Sequence, residues 1–573
     1  MQEFFNDGVK IKFFKLGQII LRQSYLTDSI CCANFLKILG KVTMPHYRLN
    51  NIKMPLDADN KQVLSFAQSV IVAKPGISAV EYLKIVKKSL DARHKDKLVF
   101  VYAVEFDCAS ELACSADLMR IDVEEKLDFV NLKTCFKMRP VVIGAGPAGM
   151  MAALALAEAG ANPIVIERGA PVDERKRAVD KFWQTGVLDE TTNVQFGEGG
   201  AGTFSDGKLM TGIKKDKFTA KVLHEFALAG APQEILYLSK PHIGTDKLLL
   251  MTENLRRKII SLGGEYRFYE QLVDLEINDG VLSAAIIRKK DGSTYRLATD
   301  KLFLALGHSA RDTFEMLYNK GLEMTQKPFA VGVRIEHKQS DVNLAQYGRK
   351  FCHSPYLGAA DYKLAVHLPD NRSVYTFCMC PGGTVVAATS LAGHVVTNGM
   401  SEFLRNKENA NAALLVNVDE RDFGSLHPLA GMYFQEELEK KAFTLGGENY
   451  FAPVQTVGDF LASRASVKLG SVIPSYRPGV TPADFKKLFS KELCEALKEG
   501  IRQMDKKLRG FASPDAVLTA VESRSSSPVR LVRGADFQSN VKGIFPIGEG
   551  AGYAGGITSA AADALKCVQN LSI

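Results

Sequence analysis

From residue 140 onward, the hydrophobic and polar positions follow strand and helix periods that can be assigned one after another. The first apolar run, PVVIG, leads into a glycine-rich turn, an alanine-rich helical stretch and a second apolar run, NPIVIER. Short, wholly apolar runs bounded by turn residues are typical of strands that are buried on both faces of a parallel sheet. The pattern therefore predicts a strand–turn–helix–strand unit in an α/β fold.

The later part of the chain is predicted to form one domain that is interrupted by another. After the first unit, several strands are predicted, with hairpin turns at residues 278–280 (Asn-Asp-Gly) and 290–292 (Lys-Asp-Gly). Residues 325–510 mix strand and helix patterns, and the end of the chain returns to a strand, a glycine-rich turn and a helix. We therefore predict one α/β domain in two pieces, 136–324 and 511–573, around an inserted mixed α+β domain.

The chain before the α/β domain is predicted to hold a small module at residues 46–135. YRLNNIKMPL alternates like a strand, and DADNKQVLSFAQSV is typical of a helix with Asp57 or Asp59 as its N-cap. Two further strand patterns follow, on either side of the polar turn RHKDK. The order strand, helix, strand, strand predicts a ferredoxin-like α+β unit.

Residues 1–45 are an uncertain N-terminal extension, with apolar clusters but no sustained period and no clear caps. Two interpretations stay open. The segment is either a real amphipathic extension or the result of a start assigned upstream of a true start at Met44, and we favour the second. An intact-mass measurement on the native protein separates them.

Composition places the chain among ordinary globular proteins. Of its 573 residues, 46% are hydrophobic and 24% are charged, which excludes wholesale disorder. The net charge of +8 is small for this length and does not favour a dedicated nucleic-acid binder. Ten dispersed cysteines without a C-x-x-C pair predict a reducing compartment, so we expect a cytoplasmic protein with no metal site. The chain has no run of about 18 apolar residues, and no membrane span is predicted.

One local source of positive charge is the stretch Lys84–Lys97, with six basic residues against two acidic ones. The favoured interpretation is a solvated strand face and turn. The alternative is a docking surface for a phosphate-rich partner such as RNA, whose binding would depend strongly on salt. Nucleic acid is therefore an alternative partner and not the main prediction.

The turn between the first strand and its helix has the sequence Gly144-Ala145-Gly146-Pro147-Ala148-Gly149. Gly144 permits a tight exit from the strand, Gly146 lets the backbone approach a pyrophosphate, and Gly149 lets the helix pack closely. The helix N-terminus adds free N–H groups and partial positive charge. The second strand ends in Glu167, 23 residues after Gly144, where a ribose diol would be held. Together these features predict dinucleotide binding, and the acid disfavours a 2′-phosphate.

Two further segments indicate which dinucleotide is bound. A hydrophobic strand ends at Ala305-Leu306-Gly307, and a later strand is followed by Gly548-Glu549-Gly550 and a helix that begins near Gly555. With these segments the chain resembles the FAD flavoproteins of the glutathione-reductase type, which have two dinucleotide-binding folds. This sequence has Glu549 where that family usually has Asp. Independently of the resemblance, a helix N-terminus at GGITSAAADAL suits the negative charge that develops on a reduced flavin.

A closer resemblance rests on five motifs, FGEGGAGTFSDGKL, VGVRIEH, YTFCMCPGGTVV, NGMS and GEGAGYAGGITSAA. Over about residues 46–573 the chain resembles an uncharacterised family of bacterial FAD-dependent dehydrogenases, or NAD(P)/FAD-dependent oxidoreductases, with a small module before the flavin domain. The resemblance implies FAD, a Rossmann-like two-dinucleotide-binding domain and a redox role, but no substrate. The departures are the leader before Met44 and Ala564, where a helix glycine is expected.

The glycine-rich segment Gln195–Leu209 is predicted to be a buried loop along the flavin, with a flexible surface loop as the alternative. Together with the resemblance, these segments give a set of predicted cofactor-binding residues. They are Gly144, Gly146, Pro147, Ala148, Gly149, Glu167, Arg168, Gly199, Gly200, Gly202, Val273, Gly307, Gly548, Glu549, Gly555, Gly556 and Ile557.

The candidate catalytic residues lie in the inserted domain. Cys378 and Cys380 would share one face of a strand, either as thiols that relay electrons near the flavin or, as we favour, as small apolar residues in a packed strand. Arg334 could bind an anionic substrate in a bidentate manner or pair with a glutamate on a sheet edge. His394 and Asn398 lie in a predicted substrate loop.

The favoured function is an FAD-dependent oxidoreductase in which a hydride passes between an unidentified small organic substrate and flavin N5. The second redox partner is either an electron acceptor or transiently bound NAD(P)H, since no second dinucleotide fingerprint is visible. Two alternatives stay open. One is a flavoprotein that binds or modifies RNA through the basic module, and the other is a non-catalytic protein that keeps FAD for structure.

Overall fold

The structure, a computed structural model, describes residues 44–571 apart from 75–76, 78–79, 123–126, 128, 130–135 and 211–215. The interpretations of residues 1–43 lie outside this part of the chain. The described residues form an antiparallel module, a parallel-sheet domain and a domain with a larger sheet, so the predicted α/β class with α+β parts is confirmed. No helix in the described ranges is long and apolar enough to cross a membrane.

The N-terminal module is a four-stranded antiparallel sheet that packs against one helix. Its strands are β1 (His46–Met54), β2 (Glu81–Asp91), β3 (Val99–Asp107) and β4 (Leu118–Arg120), in the order β2-β3-β1-β4. Helix α1 (Asn60–Val72) begins after Asp59, whose carboxylate accepts the N–H of Gln62 in a capping box. The strand order is ferredoxin-like, but residues 108–117 form a loop where a complete βαββαβ unit has its second helix.

The parallel-sheet domain is built as the apolar runs predict. Its strands are β5 (Val141–Ile143), β6 (Ile164–Glu167), β7 (Glu265–Phe268), β11 (Leu302–Leu304) and β23 (Ile544–Pro546), in the order β23-β11-β5-β6-β7. β5, β11 and β23 are wholly buried because helices and sheet cover both faces. Helix α2 (Pro147–Glu158) is buried from Ala148 to Ala157, between the sheet and the C-terminal helix α12 (Ile557–Asn570).

Antiparallel strands and helices complete this domain. β8 (Gln271–Asn278), β9 (Val281–Arg288) and β10 (Thr294–Ala298) form the two predicted hairpins. Asp279 and Gly280, at φ 49° and 75°, supply the two positive φ angles that a type I′ turn needs. The helices are α3 (Val172–Thr185), α4 (Lys217–Leu228), α5 (Thr245–Ser261) and α6 (Arg311–Asn319), with 3₁₀ turns at Ala201–Phe204 and Gln233–Leu236.

The inserted domain is centred on a seven-stranded sheet. In spatial order its strands are β14 (Ala365–His367), β15 (Ser373–Cys380), β18 (Asn409–Val418), β13 (Phe329–Lys338), β21 (Val517–Glu522), β19 (Ala452–Thr456) and β20 (Val480–Pro482). Two short pairs are β12 (Met324–Gln326) with β22 (Val529–Leu531), and β16 (Thr384–Ala387) with β17 (Thr397–Met400). The helices are α7 (Gln339–Tyr347), α8 (Glu420–Phe423), α9 (Ala430–Gly446), α10 (Val457–Leu461) and α11 (Lys491–Lys507), with a 3₁₀ turn at Phe485–Lys487.

The return to the parallel-sheet domain comes later than the predicted boundary between residues 510 and 511. β21 pairs with both β13 and β19 inside the seven-stranded sheet, and all six of its residues are buried. Residues 517–522 therefore belong to the core of the inserted domain. A short strand that is buried on both faces carries no signal of which sheet it joins, and this is the physical reason for the shifted boundary.

Part of the basic stretch Lys84–Lys97 contacts the rest of the chain. The N–H of Lys88 donates to the Tyr237 carbonyl at 2.8 Å, and Nζ of Lys95 donates to the Ala345 carbonyl at 2.6 Å. Burial lowers the pKa of Lys88. These contacts join the module to both larger domains. Lys88 is half-buried, so the favoured interpretation as a solvated face is corrected for this residue, whereas Lys95 is exposed as that interpretation expects.

Candidate functional site

A cavity of about 940 Å³ lies at the carboxyl edge of the parallel sheet, where ligands of α/β proteins bind. Residues at the ends of β5, β6, β11 and β23 line one wall, together with the Gln195–Leu209 loop and the start of α12. Residues 376–379 of β15 and Asn398 line the other wall. The cavity therefore lies between the parallel-sheet domain and the inserted domain.

The glycine turn after β5 leaves no room for side chains at two positions. Gly144 has φ +98°, and a Cβ there would lie 2.4 Å from the carbonyl oxygen of Ala305. A Cβ at Gly149 would lie 1.8 Å from the carbonyl oxygen of Gly144. The helix thus approaches the strand as closely as two backbones allow, and Gly146–Ala148 at its N-terminus line the cavity.

Glu167 is a buried carboxylate that joins this turn to the glycine-rich loop. Its Oε2 accepts the N–H of Ala145 at 2.8 Å, and its Oε1 accepts the N–H groups of Gly169 and Gly197 at 2.9 and 3.0 Å. A carboxylate offers about four acceptor sites. Because Glu167 also lines the cavity, an acceptor site on Oε2 is left for a ligand hydroxyl.

Arg175 is a residue of the site that sequence reasoning missed. It lies in α3, is fully buried and donates to five carbonyls of the glycine-rich segment at 2.6–3.2 Å, those of Asn193, Val194, Gly197, Glu198 and Gly200. Burial lowers its pKa to about 10, so it stays protonated at neutral pH. The loop is therefore buried, as predicted. The only signal for Arg175 is a charged residue on the apolar face of its helix.

The start of α12 closes one end of the cavity. Gly555, Gly556 and Ile557 line it, and Oγ1 of Thr558 donates to the Leu209 carbonyl at 3.0 Å. Two helix N-termini, those of α2 and α12, therefore open into one cavity beside the glycine-rich loop. Such N-termini favour anionic groups, because their N–H groups are free and their dipoles are positive.

His308 supplies buried polar atoms that the described part of the protein leaves without partners. Neither ring nitrogen has a hydrogen-bond partner there, and Oε1 of Glu549 lies 3.4 Å from Nδ1. Both residues line the cavity, and a ligand with hydroxyl or phosphate groups would satisfy them. The glycine turn, the acid at the end of β6, the two helix N-termini and these polar groups together fit FAD.

Lys208, at the end of the glycine-rich loop, brings positive charge to the wall formed by β15. Its Nζ donates to Oδ2 of Asp206 at 2.6 Å and also to the carbonyl of Met379. Burial opposes protonation of Lys208, but the charges of Asp206 and the neighbouring cysteines outweigh burial and raise its pKa. Asp206 is held in turn by Arg405 at 2.6 Å. The ammonium group is thus fixed at the cavity wall.

Only one of the two cysteines in β15 reaches the cavity. The register against β18 shifts between Phe377 and Cys380, and this bulge interrupts the alternation that the prediction assumed. Cys378 lines the cavity, whereas Cys380 is fully buried. The neighbouring Cys380 side chain, with the charges of Lys208 and Arg334, lowers the pKa of Cys378 in spite of burial.

Arg334 does not line the cavity, and the prediction that it clamps an anionic substrate is corrected. It is fully buried in β13, and all five of its N–H groups have partners. Two of them bind Glu522 of β21 at 2.8 and 3.0 Å, and the others donate to the Cys378 carbonyl, Asn411 Oδ1 and Asn398 Oδ1. Arg334 therefore positions Asn398 and the backbone of Cys378.

His394 and Asn398, predicted to lie in one substrate loop, differ in their position relative to the cavity. Asn398 lines the cavity, but His394 is 4% exposed and does not line it. Nδ1 of His394 lies 2.7 Å from the Ala392 carbonyl oxygen, and burial lowers its pKa. The geometry gives His394 no contact with a ligand in the cavity.

A buried charge cluster lies beside the cavity. Glu439 is fully buried and accepts four hydrogen bonds of 2.9 Å, two from Arg311 and two from Arg524. Burial opposes ionisation, but the two guanidinium groups outweigh it and hold the pKa of Glu439 far below its usual range. Arg524 also lines the cavity, so the cluster fixes part of its wall.

Most of the predicted cofactor-binding residues line the cavity: Gly144, Gly146, Pro147, Ala148, Glu167, Arg168, Gly200, Gly202, Gly307, Glu549, Gly555, Gly556 and Ile557. The others lie outside its lining. Gly149 packs the helix on the strand, the N–H of Gly199 donates to the Ala145 carbonyl at 2.8 Å, and that of Gly548 donates to Asp563 at 2.8 Å. Leu272 rather than Val273 lines the cavity at β8.

Sequence reasoning also missed Lys208, His308, Lys327 and Tyr362, which all line the cavity. The first two lie within or just after recognised glycine segments, and that proximity was the available signal. Lys327 and Tyr362 lie outside all of the motifs described above, so only the fold brings them to the cavity.

Comparisons with known proteins agree with this site. Residues 328–525 match the family described as FAD-dependent protein, C-terminal domain-like, and residues 139–175 match the FAD binding domain. A protein of Clostridium beijerinckii, described as uncharacterized, is 47% identical over 533 residues, which cover 91% of this chain and 98% of that protein. The predicted family and the predicted FAD cofactor are therefore confirmed.

Solved structures give a more distant likeness. The quinol fumarate reductase of E. coli is 11% identical, with a TM-score of 0.32 over 76% of this chain and 70% of that chain. The glycerol-3-phosphate dehydrogenase of Bacillus halodurans, complexed with FAD, is 11% identical, with a TM-score of 0.28 over 78% of this chain and 67% of that chain. The assignment depends on the family matches and the bacterial relative, and these two structures add no argument to it.

Proposed function

The chain belongs to this family of FAD-dependent proteins, and from that premise we propose that it is a dehydrogenase that moves a hydride between a small organic substrate and the flavin. The observation that carries the proposal is the cavity, which joins the FAD-binding turn to charged and polar side chains of the inserted domain. When bound, FAD supplies the two-electron chemistry that amino-acid side chains lack.

Three parts of the site would bind three parts of FAD. Glu167, with its remaining acceptor site, would bind the ribose of the adenosine half. The N-terminus of α2, reached through Gly146, would bind the diphosphate. The N-terminus of α12, which begins after Gly556 without a bulky side chain, would stabilise negative charge on the flavin ring.

The substrate would bind between the flavin and β15. Lys208 offers a fixed positive charge there, which favours an anionic substrate such as a carboxylate. Oη of Tyr362 is buried without a hydrogen-bond partner in the described protein, and its residue lines the same space. We assign Lys208 and Tyr362 to substrate orientation, with the Asn398 side chain held in place by Arg334.

The contacts of Lys88 and Lys95 with the protein's own domains give the RNA-binding alternative no support. The non-catalytic alternative makes a distinct prediction. It expects a flavin that no physiological donor reduces, although a strong chemical reductant does reduce it.

An anaerobic donor screen tests the proposal. The purified holoprotein is mixed with NADH, NADPH, and panels of carboxylated and neutral metabolites, and the visible flavin band is followed. We expect a small anionic donor to bleach the band, and Lys208→Met to raise the donor concentration needed. Lys84→Met, on the exposed face of the module, is the matched control and should behave as wild type. If dithionite bleaches the band but no donor does, the proposal is wrong.

A further inference from the structure

Cys378 and Cys380 form a second chemical site in the cavity wall. Cys378 lies at φ +39°, in the left-handed region that side chains other than glycine rarely adopt. Such residues persist only where the surrounding structure fixes them, and they cluster at active sites. The bulge that creates this conformation also exposes Cys378 to the cavity and leaves Cys380 fully buried.

Two cations fix this bulge from different domains. Nη1 of Arg334 donates to the Cys378 carbonyl at 2.9 Å, and Nζ of Lys208 donates to the Met379 carbonyl. Their acidic partners, Glu522 and Asp206, form ion pairs with them at 2.8 and 2.6 Å. Arg334 and Lys208 therefore place positive charge around the sulfur of Cys378, which favours the thiolate.

The second thiol is close to the first. The Cys380 thiol donates to the Cys378 carbonyl oxygen at 3.3 Å. Interaction with the Cys378 side chain, together with burial, raises the pKa of Cys380. The pair is thus asymmetric, with an accessible sulfur that favours the thiolate and a buried sulfur that favours the thiol. This asymmetry is typical of dithiols in which one sulfur attacks and the other resolves.

We propose that Cys378 and Cys380 are a redox-active dithiol that reduces a small-molecule disulfide bound in the cavity. Cys378 is the attacking thiolate and Cys380 the resolving thiol. The inference rests on the proposed dehydrogenase function, because it makes a disulfide the acceptor of the electrons that the organic substrate supplies.

The chemistry balances in two exchanges. Sγ of Cys378 attacks one sulfur of the substrate disulfide, the substrate S–S bond breaks, and one substrate thiolate leaves and takes a proton. Cys380 then loses its proton and attacks Sγ of Cys378, which releases the second substrate thiol and forms the Cys378–Cys380 disulfide. The substrate gains two electrons and two protons: the dithiol supplies both electrons and the proton of Cys380, and solvent supplies the other proton. FAD, when bound, would supply the two electrons that restore the dithiol, taken from the dehydrogenation of the organic substrate.

Peptide mapping after exposure to a small disulfide tests the proposal. The holoprotein is reduced, desalted and mixed anaerobically with bis(2-hydroxyethyl) disulfide, then alkylated and digested with trypsin. Residues 373–405 form one tryptic peptide that contains Cys378 and Cys380 and no other cysteine. We expect this peptide to lose the mass of two hydrogen atoms in the wild type, with two substrate thiols released per chain. In Cys380→Ser the first exchange should stop at a mixed disulfide on Cys378.

Cys378→Ser should form neither product, and Cys352→Ser, outside the cavity lining, should behave as wild type. Cys114 is exposed and serves as an internal control for reaction with the disulfide. The proposal is overturned if Cys114 has reacted while the wild-type peptide 373–405 still has both thiols free. It is also overturned if Cys380→Ser gives no mixed disulfide while retaining FAD and its circular dichroism. Because the reduced protein supplies the electrons, this readout requires no organic donor. A failed donor screen with positive peptide mapping would reject the dehydrogenase proposal and leave the dithiol standing.

Discussion

Replacement of Gly200 by alanine should weaken FAD binding at least about tenfold and cost about 1 kcal/mol of folding free energy. Gly200 has φ +64°, and a Cβ there would lie 3.0 Å from Cα of Gly146 and 3.5 Å from Cδ of Pro147. The left-handed conformation accounts for the folding cost, about 1 kcal/mol for a residue other than glycine. The methyl group would also fill the space beside the N-terminus of α2, where the backbone has to approach a diphosphate. Loss of about 1.4 kcal/mol of binding free energy is a tenfold change in Kd.

Gly280→Ala is the matched control. Gly280 has φ +75° in the β8–β9 turn, and a Cβ there would meet nothing within 4 Å. This variant should therefore lose a similar free energy of unfolding and bind FAD as the wild type does. Urea unfolding measures the first quantity, and titration of the apoprotein with FAD measures the second. Equal FAD affinities in the two variants would refute the reasoning, because they would show that the diphosphate does not bind beside Gly200 at the N-terminus of α2.

The other predictions concern buried charge, a helix cap and the reactive thiol. Arg175→Met should lower stability by about 3 kcal/mol or more and release FAD, since five loop carbonyls lose their donor; an unchanged melting temperature would contradict this. Glu439→Gln should lower the free energy of unfolding by about 3–5 kcal/mol, because two buried guanidinium groups lose their counter-charge. Because the pKa of Glu439 is depressed in the wild type, its ionised carboxylate stabilises the folded protein fully above about pH 4.3, and this contribution declines as the pH falls below that value. Acid unfolding of the wild type and of Glu439→Gln measures the difference. Asp59→Ala should destabilise α1 by about 1 kcal/mol, measured by thermal unfolding of the module's transition, with Asp57→Ala as the neutral control. Alkylation of Cys378 by iodoacetamide should stay fast at pH values below about 8.5, where an ordinary thiol becomes protonated and slow, so a rate that falls with the pH profile of an ordinary thiol would contradict the lowered pKa.

The parts of the fold that sequence reasoning predicted well are those that depend on local patterns. The buried strands β5 and β6 have apolar runs, the β8–β9 turn needs two positive φ angles, and α1 has its capping residue in place. The glycine turn was predictable for the same reason, since Gly144 and Gly149 are required by contacts within one βαβ unit.

The parts that were wrong or missed depend on long-range contacts. Arg334 pairs with Glu522, 188 residues away, and only the pairing of β13 with β21 brings them together. The bulge in β15 is set by its register against β18, so the alternation of Cys378 and Cys380 could not be read from their spacing. Lys208 reaches Met379, 171 residues away, across the cavity between two domains. Such contacts leave no periodic signal along the chain.

The central claim is that a hydride passes between an organic substrate and the flavin. The most direct test is anaerobic bleaching of the holoprotein's flavin band by its best donor, compared between the ordinary donor and one that carries deuterium at the carbon that is oxidised. We predict that bleaching is slower with the deuterated donor, because that carbon–hydrogen bond breaks as the flavin is reduced. Bleaching at the same rate with both donors in single-turnover conditions, or no bleaching by any donor, would contradict it.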